Sequence, residues 1–314
     1  HAYSSVAFFL STKTNSKIIG VYDINEAAAN SLAYAYGSKY ISLDDLLNKP
    51  EHKPDLVYIC TNHATHTDLA IKFLDKGCDV FIEKPVSVNT NELSQLSNTI
   101  SKNSHLKVYA GYNRPLSPAI TKIKELSSCK ESPFTMACFI VGHVIEEGHW
   151  YRDKDEGTRI ISNLSHWIDL SINMLYWSEW SEDFIDVSIS YSFEGEYSKN
   201  FNAPFTINLS TLRGDICSIT FSCREEPYEG VNETINFQQK GIIAKIDDFR
   251  SMSTWIDSSY KKFKFWPKNN GHKASIHQPF EKYCRSWDEI RNSTRLVLFI
   301  DSMVKNHEKN KKFN

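Results

Sequence analysis

Residues 55–85 read DLVYICTNHATHTDLAIKFLDKGCDVFIEKP, and this stretch decides the fold. Two short apolar runs, Asp55–Cys60 and Asp79–Glu83, flank a segment in which apolar residues recur at helical spacing from about Thr67 to Lys76. Gly77 follows that segment, and a glycine is a typical residue at the end of a helix. A strand, a helix and a second strand in this order predict a βαβ unit with two parallel strands.

The segments on either side continue the alternation of strand and helix. Lys17–Asp23 is a short apolar run that ends in an acid, and Asn25 is placed to cap the Ala-rich helix that follows. After Pro85, a helix is predicted from about Asn91 to Lys102 and a further strand at Leu106–Ala110. This alternation predicts an α/β fold whose first domain is a doubly wound, Rossmann-type parallel sheet covered by helices.

From residue 113 onward the pattern changes to longer runs of alternating polarity, which are typical of antiparallel strands. One helix interrupts them, from about Arg159 to Tyr176, with apolar residues at helical spacing along one stripe. We therefore predict two domains, a dinucleotide-binding domain over residues 1–112 and a second domain over residues 113–314. The antiparallel candidates are Phe134–Val141, Ile185–Phe193, Phe205–Leu212 and Ile216–Cys223.

Composition excludes several classes of protein. The 36 Lys and Arg against 38 Asp and Glu give a net charge of −2, which lacks the basic excess of a general nucleic-acid binder. The seven cysteines are odd in number and form no C-x-x-C, so we expect reduced thiols in a cytoplasmic protein without a metal cluster. The apolar run Val6–Leu10 is too short to cross a membrane, so we expect no membrane association.

The start of the chain lacks a feature that a dinucleotide-binding domain is expected to carry. The first strand and its G-x-G-x-x-G turn normally lie about 20 residues before the acid that holds the ribose. Counting back from Asp23 reaches the start of the chain, and residues 1–16 contain no glycine. We interpret residues 1–10 as the helix that follows such a turn, so that the native protein would be longer. The alternative is a chain that starts here and binds no dinucleotide.

Three polar segments follow predicted parallel strands, at the edge of the sheet where ligands of open α/β folds bind. They are Asp23, Thr61–His66 and Glu83–Pro85. An acid such as Asp23 can accept both ribose hydroxyls and would repel the additional phosphate of NADP, which favours NAD; alternatively, it only caps the next helix. Lys84 follows an apolar strand and precedes a proline, so partial desolvation would lower its pKa and suit it to acid–base chemistry. Alternatively, Lys84 is an ordinary surface charge, and His66 only caps the following helix.

His166 and Asp169 are three residues apart in the predicted helix and therefore share one face. A carboxylate in that position can orient an imidazole for proton transfer. A polar stripe of Ser162, His166, Asp169 and Asn173 runs beside the apolar stripe, which would bring His166 to the edge of the core.

Taken together, these motifs resemble the Gfo/Idh/MocA oxidoreductase family, and the likeness extends over nearly the whole chain. It is closest to the branch of inositol-dehydrogenase-like proteins and sugar dehydrogenases. The segments that carry it are Glu83-Lys84-Pro85 after the Thr61–His66 loop, Gly111-Tyr-Asn-Arg114 with Pro118, Gly148-His-Trp150, Gly157–Asp169, Asp247–Arg250 and Gly271–Ala274.

The resemblance implies an N-terminal Rossmann domain and a C-terminal α/β domain whose open, mostly antiparallel sheet often forms a dimer interface. In the family, a hydride passes between a nicotinamide and a carbon of a sugar, nucleotide sugar or cyclitol. Lys84 matches the lysine at the reacting oxygen, His166 the acid or base, and Asp169 would steady His166. The cofactor contacts so implied are Asp23, Thr61, Asn62, His66, Glu83, Lys84, Pro85 and Asn113, and the substrate contacts are Arg114, Trp150, Arg159 and Asn163.

Two departures from the family pattern leave alternatives open. Many relatives carry an acid four or three residues before the histidine, where this chain has the neutral Ser162 and Asn163. A neutral pair does not relay a proton as a carboxylate does. The absent glycine turn is the second departure. The leading hypothesis is an NAD-dependent oxidoreductase that forms a homo-oligomer; the alternatives are a silent homologue that binds a sugar or a protein, and an NAD-assisted glycosidase.

Overall fold

The computed structural model describes residues 2–181, 184–191, 193, 200–225, 230–282 and 284–314. Its internal contacts divide the chain into two units. Unit 1 comprises His1–Tyr112 together with His272–Trp287, and unit 2 comprises Asn113–Gly271 together with Asp288–Asn314. The chain therefore returns to unit 1 for a short segment near its end, which nothing in the sequence pattern indicated.

Helices and strands alternate in the first part of the described chain, and strands dominate the second. The α-helices are α1 (Phe8–Ser11), α2 (Glu26–Ala35), α3 (Leu43–Asn48), α4 (His66–Asp75), α5 (Thr90–Lys102), α6 (Pro118–Leu126), α7 (Ser165–Trp177), α8 (His272–His277) and α9 (Trp287–Lys305). The strands are β1 (Leu56–Ile59), β2 (Asp79–Ile82), β3 (Val108–Ala110), β4 (Phe134–His143), β5 (Ile185–Tyr191), β6 (Phe205–Ser210), β7 (Ile216–Arg224), β8 (Asn232–Gln239), β9 (Ile242–Asp247), β10 (Ser251–Ile256), β11 (Ser259–Lys264) and β12 (Asn310–Phe313).

Unit 1 is built on a three-stranded parallel sheet in the order β1-β2-β3. The helices α4 and α5, which connect these strands, contact each other and form one covering layer. The other layer comes from the two ends of the unit, because Val6 and Ile276 cluster with Phe81 and Tyr109. The Tyr58 hydroxyl also donates to the Ile276 carbonyl at 2.6 Å. Both faces of the sheet are thus covered, which confirms the Rossmann-type fold.

One strand prediction in unit 1 is wrong. Lys17–Asp23 forms no strand, and Val21 makes only an isolated parallel bridge to Tyr40. A strand is stabilised by a row of hydrogen bonds to a neighbour, whereas this bridge supplies two, from Val21 N–H to the Lys39 carbonyl and from Ile41 N–H to the Val21 carbonyl. The predicted helix does follow, capped by the Asn25 side chain, which accepts the Ala28 N–H at 3.1 Å.

Unit 2 is built on a nine-stranded sheet in the order β11-β10-β9-β8-β4-β7-β6-β5-β12. All neighbouring strands are antiparallel except the central pair β4 and β7, so the sheet is open and mostly antiparallel as expected. Alternate residues of the central strands are buried, and helix α7 is buried on nearly every side. The core of unit 2 therefore lies between this helix layer and one face of the sheet.

The opposite face of the sheet is exposed and carries an apolar row. Register places Ile243 beside Trp255 and Trp255 beside Tyr260, so these side chains cross three adjacent strands. Their exposed fractions are 51%, 41% and 55%. We call these three side chains the outer apolar row.

The two edge strands of this sheet are protected by lysines. Strand β11 contains Lys261 and Lys262, and strand β12 contains Lys311 and Lys312. Charged side chains on an edge oppose the addition of a further strand, because a second chain would have to bury or pair them. The lysines therefore disfavour the addition of a further strand at either edge.

Gly271 occupies a position that accepts no side chain. Its φ of +96° lies in the region that favours glycine, and an added Cβ would stand 2.1 Å from the Asn113 carbonyl oxygen. The Asn113 amide also donates to the Asn270 carbonyl at 2.9 Å. The two points at which the chain enters and leaves this part of unit 2 are therefore held side by side.

Candidate active site

The ends of β1 and β2 in unit 1 carry most of the residues that the sequence assigned to a cofactor. Thr61 and Asn62 follow β1 after Cys60 and are exposed, whereas Glu83 and Lys84 directly follow β2 and are half-buried. Since the two strands are parallel neighbours, these residues share one edge of the sheet.

Asp23 does not belong to these two strand ends; it is exposed and lies before α2. Its Oδ1 accepts the Asn25 N–H at 2.8 Å, which orients the carboxylate at the start of the helix. The side chain of Asn25 and not that of Asp23 caps α2, so this contact is a local turn before the helix, and the Asp23 carboxylate stays exposed to solvent.

His66 links the two strand ends. Its ring is 1% exposed, with Nδ1 at 2.7 Å from the Pro85 carbonyl oxygen and Nε2 at 3.0 Å from the Thr61 carbonyl oxygen. The next residue, Thr67, donates to the Val86 carbonyl at 3.2 Å. The first turn of α4 therefore fixes both the loop after β1 and the segment that follows Lys84.

The Glu83 carboxylate is held against the backbone of Gly111. An added Cβ at Gly111 would lie 2.6 Å from Glu83 Oε2, so a larger residue there would displace the carboxylate. The same oxygen accepts the Lys84 N–H at 3.2 Å. Burial raises the pKa of Glu83, while the neighbouring Lys84 ammonium and the His272 side chain oppose this rise.

In unit 2, the predicted acid–base pair lies on α7. His166 is half-buried, and Asp169, three residues later, is fully buried. A five-residue π-helical segment, Ile160–Leu164, leads into α7, and such wider turns are frequent at functional sites. Within it, the Ser162 hydroxyl donates to Asn163 Oδ1 at 3.2 Å, so the two neutral residues contact each other.

A buried ion pair fixes α7 to the sheet. The Arg114 guanidinium contacts the Glu233 carboxylate through two bonds, Nε to Oε2 at 2.9 Å and Nη2 to Oε1 at 3.0 Å. The guanidinium carbon lies 4.2 Å from the centroid of the Trp167 ring, whose Nε1 donates to Glu233 Oε2 at 2.8 Å. We call Arg114, Glu233 and Trp167 the buried triad. It places Trp167, the neighbour of His166, at a fixed position over β8.

Two further residues assigned to ligands from the sequence are also engaged within unit 2. Asn113 is fully buried, and its Oδ1 accepts a bond from Arg114 Nη1 at 3.2 Å. Arg159 is 1% exposed, donates to the His143 carbonyl at 2.5 Å and lies over the Phe221 ring. Both side chains thus have structural partners.

Trp150, like Asn163, is more accessible than the two arginines among the assigned substrate contacts. It is half-buried in a short 3-10 turn, Trp150–Arg152, between aromatic neighbours. The His149 and Tyr151 rings lie 5.9 Å and 4.4 Å from it, measured between centroids. The side chain therefore belongs to an aromatic group at the end of the loop that precedes α7.

Glu233 supports the candidate site as the carboxylate of the buried triad, and the sequence analysis did not single it out. A signal was present, because Glu233 occupies the inward phase of β8, in which Ile235 and Phe237 are buried. A carboxylate at an inward position of a strand requires a buried cation or donor. That requirement would have pointed to an arginine such as Arg114.

The described residues contain no group of three or more His, Cys, Asp or Glu side chains that could hold a metal ion. In the same part of the chain, no helix is both long and apolar enough to cross a membrane. All seven cysteines are free thiols.

Comparison with known proteins shows the class to which this arrangement belongs. The model of the oxidoreductase family with an NAD-binding Rossmann fold, Gfo/Idh/MocA, matches residues 2–112. The match covers the part of the chain that forms the parallel sheet of unit 1. Residues 2–112 thus match the family that the sequence motifs resemble.

Two curated proteins that match part of the chain are both named as dehydrogenases. Inositol 2-dehydrogenase from Rhizobium meliloti is 28% identical over 116 residues, 37% of this chain and 34% of the relative. Glucose-6-phosphate 3-dehydrogenase from Bacillus subtilis is 30% identical over 105 residues, 33% of this chain and 29% of the relative. Each match thus spans about a third of the curated relative.

The fold likeness extends further than the sequence likeness. The structure of GenD2 from gentamicin A biosynthesis, in complex with NAD, has a TM-score of 0.77 at 15% identity. It covers 98% of this chain and 92% of that one, so the fold of unit 2 is shared as well.

The buried triad generates a prediction of stability. Glu233→Gln leaves the Arg114 guanidinium buried without its counter-charge, and we expect the free energy of unfolding in urea to fall by about 3–5 kcal/mol. Adding Arg114→Met should restore part of that loss, because the unpaired charge is removed while Gln still accepts the Trp167 N–H. Glu125→Gln, which removes the exposed partner of Lys122, is the control and should change stability by less than about 1 kcal/mol. A loss of similar size in both single variants would contradict this role of the triad.

Proposed function

We propose that this protein is an NAD-dependent oxidoreductase that transfers a hydride between the nicotinamide and a carbon of a sugar, nucleotide sugar or cyclitol. The observation that carries the proposal is the group at the ends of β1 and β2, where Glu83, Lys84 and His66 adjoin exposed Thr61 and Asn62. The matched relatives named as inositol and glucose-6-phosphate dehydrogenases support a polyhydroxylated substrate.

The residues at the strand ends fit the ribose and nicotinamide half of the cofactor. Thr61 and Asn62 are exposed to a ligand, and the exposed Asp23 carboxylate is oriented by the Asn25 N–H. Asp23 would accept the ribose hydroxyls and disfavour the phosphate of NADP. His66 contacts the carbonyls of Thr61 and Pro85, and Glu83, Pro85 and Asn113 are further proposed cofactor contacts. In the described residues no glycine-rich turn precedes Asp23, so this fit concerns only that half.

We assign the chemical roles as follows. When bound, the nicotinamide accepts or supplies the hydride. The Lys84 ammonium donates a hydrogen bond to the reacting oxygen and stabilises negative charge that develops on it. His166 takes up or releases the proton of that hydroxyl, and Asp169 steadies the imidazole.

Substrate positioning divides between accessible and buried side chains. Trp150 and Asn163 are half-buried and are proposed to touch the substrate directly. Arg114 and Arg159 are buried with protein partners, so we assign them to supporting the backbone beneath the substrate. The free thiols of all seven cysteines fit the reducing environment of the cytoplasm, where we propose that the protein works.

We also propose that the protein forms a homo-oligomer through the exposed face of the nine-stranded sheet, because the outer apolar row lies there and both edges carry lysines. Trp255→Lys should therefore shift the sedimentation coefficient of the protein toward that of a monomer. Trp266→Lys, at a side chain 83% exposed but outside the row, serves as the matched control and should leave it unchanged. A wild-type monomer at micromolar concentration would refute the proposal.

Cofactor choice is tested by titrating the full-length protein with NADH and NADPH and following cofactor fluorescence. We expect tighter binding of NADH, and a loss of about 10- to 100-fold in NADH affinity in Asp23→Ala, the range for a hydrogen bond to a charged group. Asp68→Ala removes another exposed carboxylate of unit 1 and should leave affinity unchanged. Equal NADH affinity in Asp23→Ala and wild type would remove the ribose role of Asp23.

The role of Lys84 is tested by turnover. Lys84→Ala should lower kcat at least about 100-fold on a sugar substrate found by following NADH absorbance, since general acid–base groups contribute that much. Lys72→Ala, which removes an exposed lysine paired with Asp68 on α4, is the control.

Other outcomes distinguish the alternatives. Near-normal turnover of Lys84→Ala would overturn the assignment. Absence of NADH binding by the full-length protein would favour a silent homologue, which the neutral Ser162 and Asn163 allow. Release of a free sugar without net change in NAD would identify a glycosidase.

A further inference from the structure

The His66 ring lies within hydrogen-bond distance of two main-chain carbonyls from different segments. It stands at the first residue of α4, buried, between the carbonyl of Thr61 after β1 and the carbonyl of Pro85 after β2. A single side chain thereby lies within hydrogen-bond distance of the ends of two adjacent parallel strands.

Both partners of the ring are main-chain carbonyls, which only accept hydrogen bonds. A neutral imidazole carries one N–H, so it can serve one of these carbonyls, and its other nitrogen then presents a lone pair to an oxygen. An imidazolium carries two N–H groups and can serve both. The shorter contact, 2.7 Å from Nδ1 to the Pro85 oxygen, marks the bond that the neutral ring keeps.

The charges around the ring determine which form is present. Within unit 1, the titratable side chains that face it are Glu83 and Lys84 at the end of β2 and His63 in the turn before α4. Burial lowers the pKa of His66, and Lys84 acts in the same direction, while Glu83 and the two carbonyls oppose them. The net direction is downward, so the ring is neutral at neutral pH and gains its second proton only in acid.

The segment that follows Lys84 is held at neighbouring points by the same helical turn. Thr67 donates to the Val86 carbonyl at 3.2 Å, and its hydroxyl lies 2.9 Å from the Ser87 hydroxyl. With His66 at Pro85, three consecutive residues after Lys84 are fixed to α4. A displacement of the Pro85 carbonyl would therefore move the backbone that carries Lys84.

We infer that His66 is a positioning residue for Lys84, whose Nδ1–H holds the Pro85 carbonyl in the neutral ring and whose Nε2 bonds the Thr61 carbonyl only after protonation. The link to Lys84 chemistry rests on the proposed function. The bonding pattern of the ring does not, so the two can fail separately.

The bonding pattern is tested by ¹⁵N NMR of the histidine rings in the full-length protein. The signal that disappears in His66→Gln, and persists in the exposed control His105→Gln, belongs to His66. At neutral pH we expect one ring N–H, on Nδ1, and a second N–H on Nε2 as the pH falls below the ordinary histidine range. A proton on Nε2 alone at neutral pH would overturn the inference.

The positioning role is tested by kinetics on the substrate that the wild type turns over. His66→Leu, which has no donor, should lower kcat about 10- to 100-fold with a smaller change in KM, the range for a misplaced catalytic group. His66→Gln keeps an N–H and should restore part of kcat, but it should lose the pH-dependent step that the wild type and His105→Gln show in acid. Wild-type kcat in His66→Leu, or an unchanged pH profile in His66→Gln, would refute positioning. If the wild type binds no NADH, the proposed function fails, while the NMR result still decides how the ring is bonded.

Discussion

The buried pair of Arg114 and Glu233 is the constraint on which unit 2 depends. Removing two charges from water costs several kcal/mol per ion, and only a close, fully bonded geometry offsets that cost. The two-bond contact at 2.9 Å and 3.0 Å, together with the Trp167 N–H, provides it. Arg114 lies at the start of unit 2, Glu233 on β8 and Trp167 on α7. The contacts among these three residues therefore join three parts of the unit. His166 and Asp169 inherit their placement from this arrangement.

In unit 1, side chains at the start of α4 hold the loops at the ends of the parallel strands through main-chain carbonyls. A parallel sheet brings the ends of its strands to one edge, but loops at such an edge are free to move unless something holds them. Here the buried His66 and Thr67 hold them, and Gly111 leaves space for the Glu83 carboxylate. The backbone of Lys84 is thereby held through the segment that follows it, next to the Glu83 carboxylate, whose pKa is raised by burial. A cation on a backbone held in this way suits the stabilisation of charge on a substrate oxygen.

Periodicity predicted many of the elements that are buried on a regular face, although the analysis did not single out β8, β9 and β10, which alternate in the same way. The strands β1, β2 and β3, the helices α4 and α5 and the strands β4 to β7 were all visible, because their apolar residues recur with the period of the element. The parallel pairing of β4 with β7 was not predicted. The prediction of a strand at Lys17–Asp23 is wrong, because an apolar run does not show whether a neighbouring strand is present to form hydrogen bonds. The return of residues 272–287 to unit 1 could not be predicted either, because it depends on contacts between distant parts of the chain and leaves no local pattern in the sequence.

The candidate site shows the same division. Lys84, Glu83 and His66 could be found from sequence, because polar residues at the ends of parallel strands share one edge. Their bonds could not, since a hydrogen bond between the His66 ring and the Pro85 carbonyl depends on backbone geometry. Arg114 and Arg159 look like ligand contacts in sequence, yet both are buried among protein partners. Glu233 alone offered an unused signal, a charge in the inward phase of a strand.

The most direct test of hydride transfer is to supply the full-length protein with NADH that carries deuterium at the reactive carbon of the nicotinamide and with a panel of keto sugars and keto cyclitols. The account predicts that one member of the panel is reduced and that mass spectrometry finds a single deuterium at the carbon of the new hydroxyl. A protein that binds NADH but reduces no member, or a product without deuterium, would contradict it.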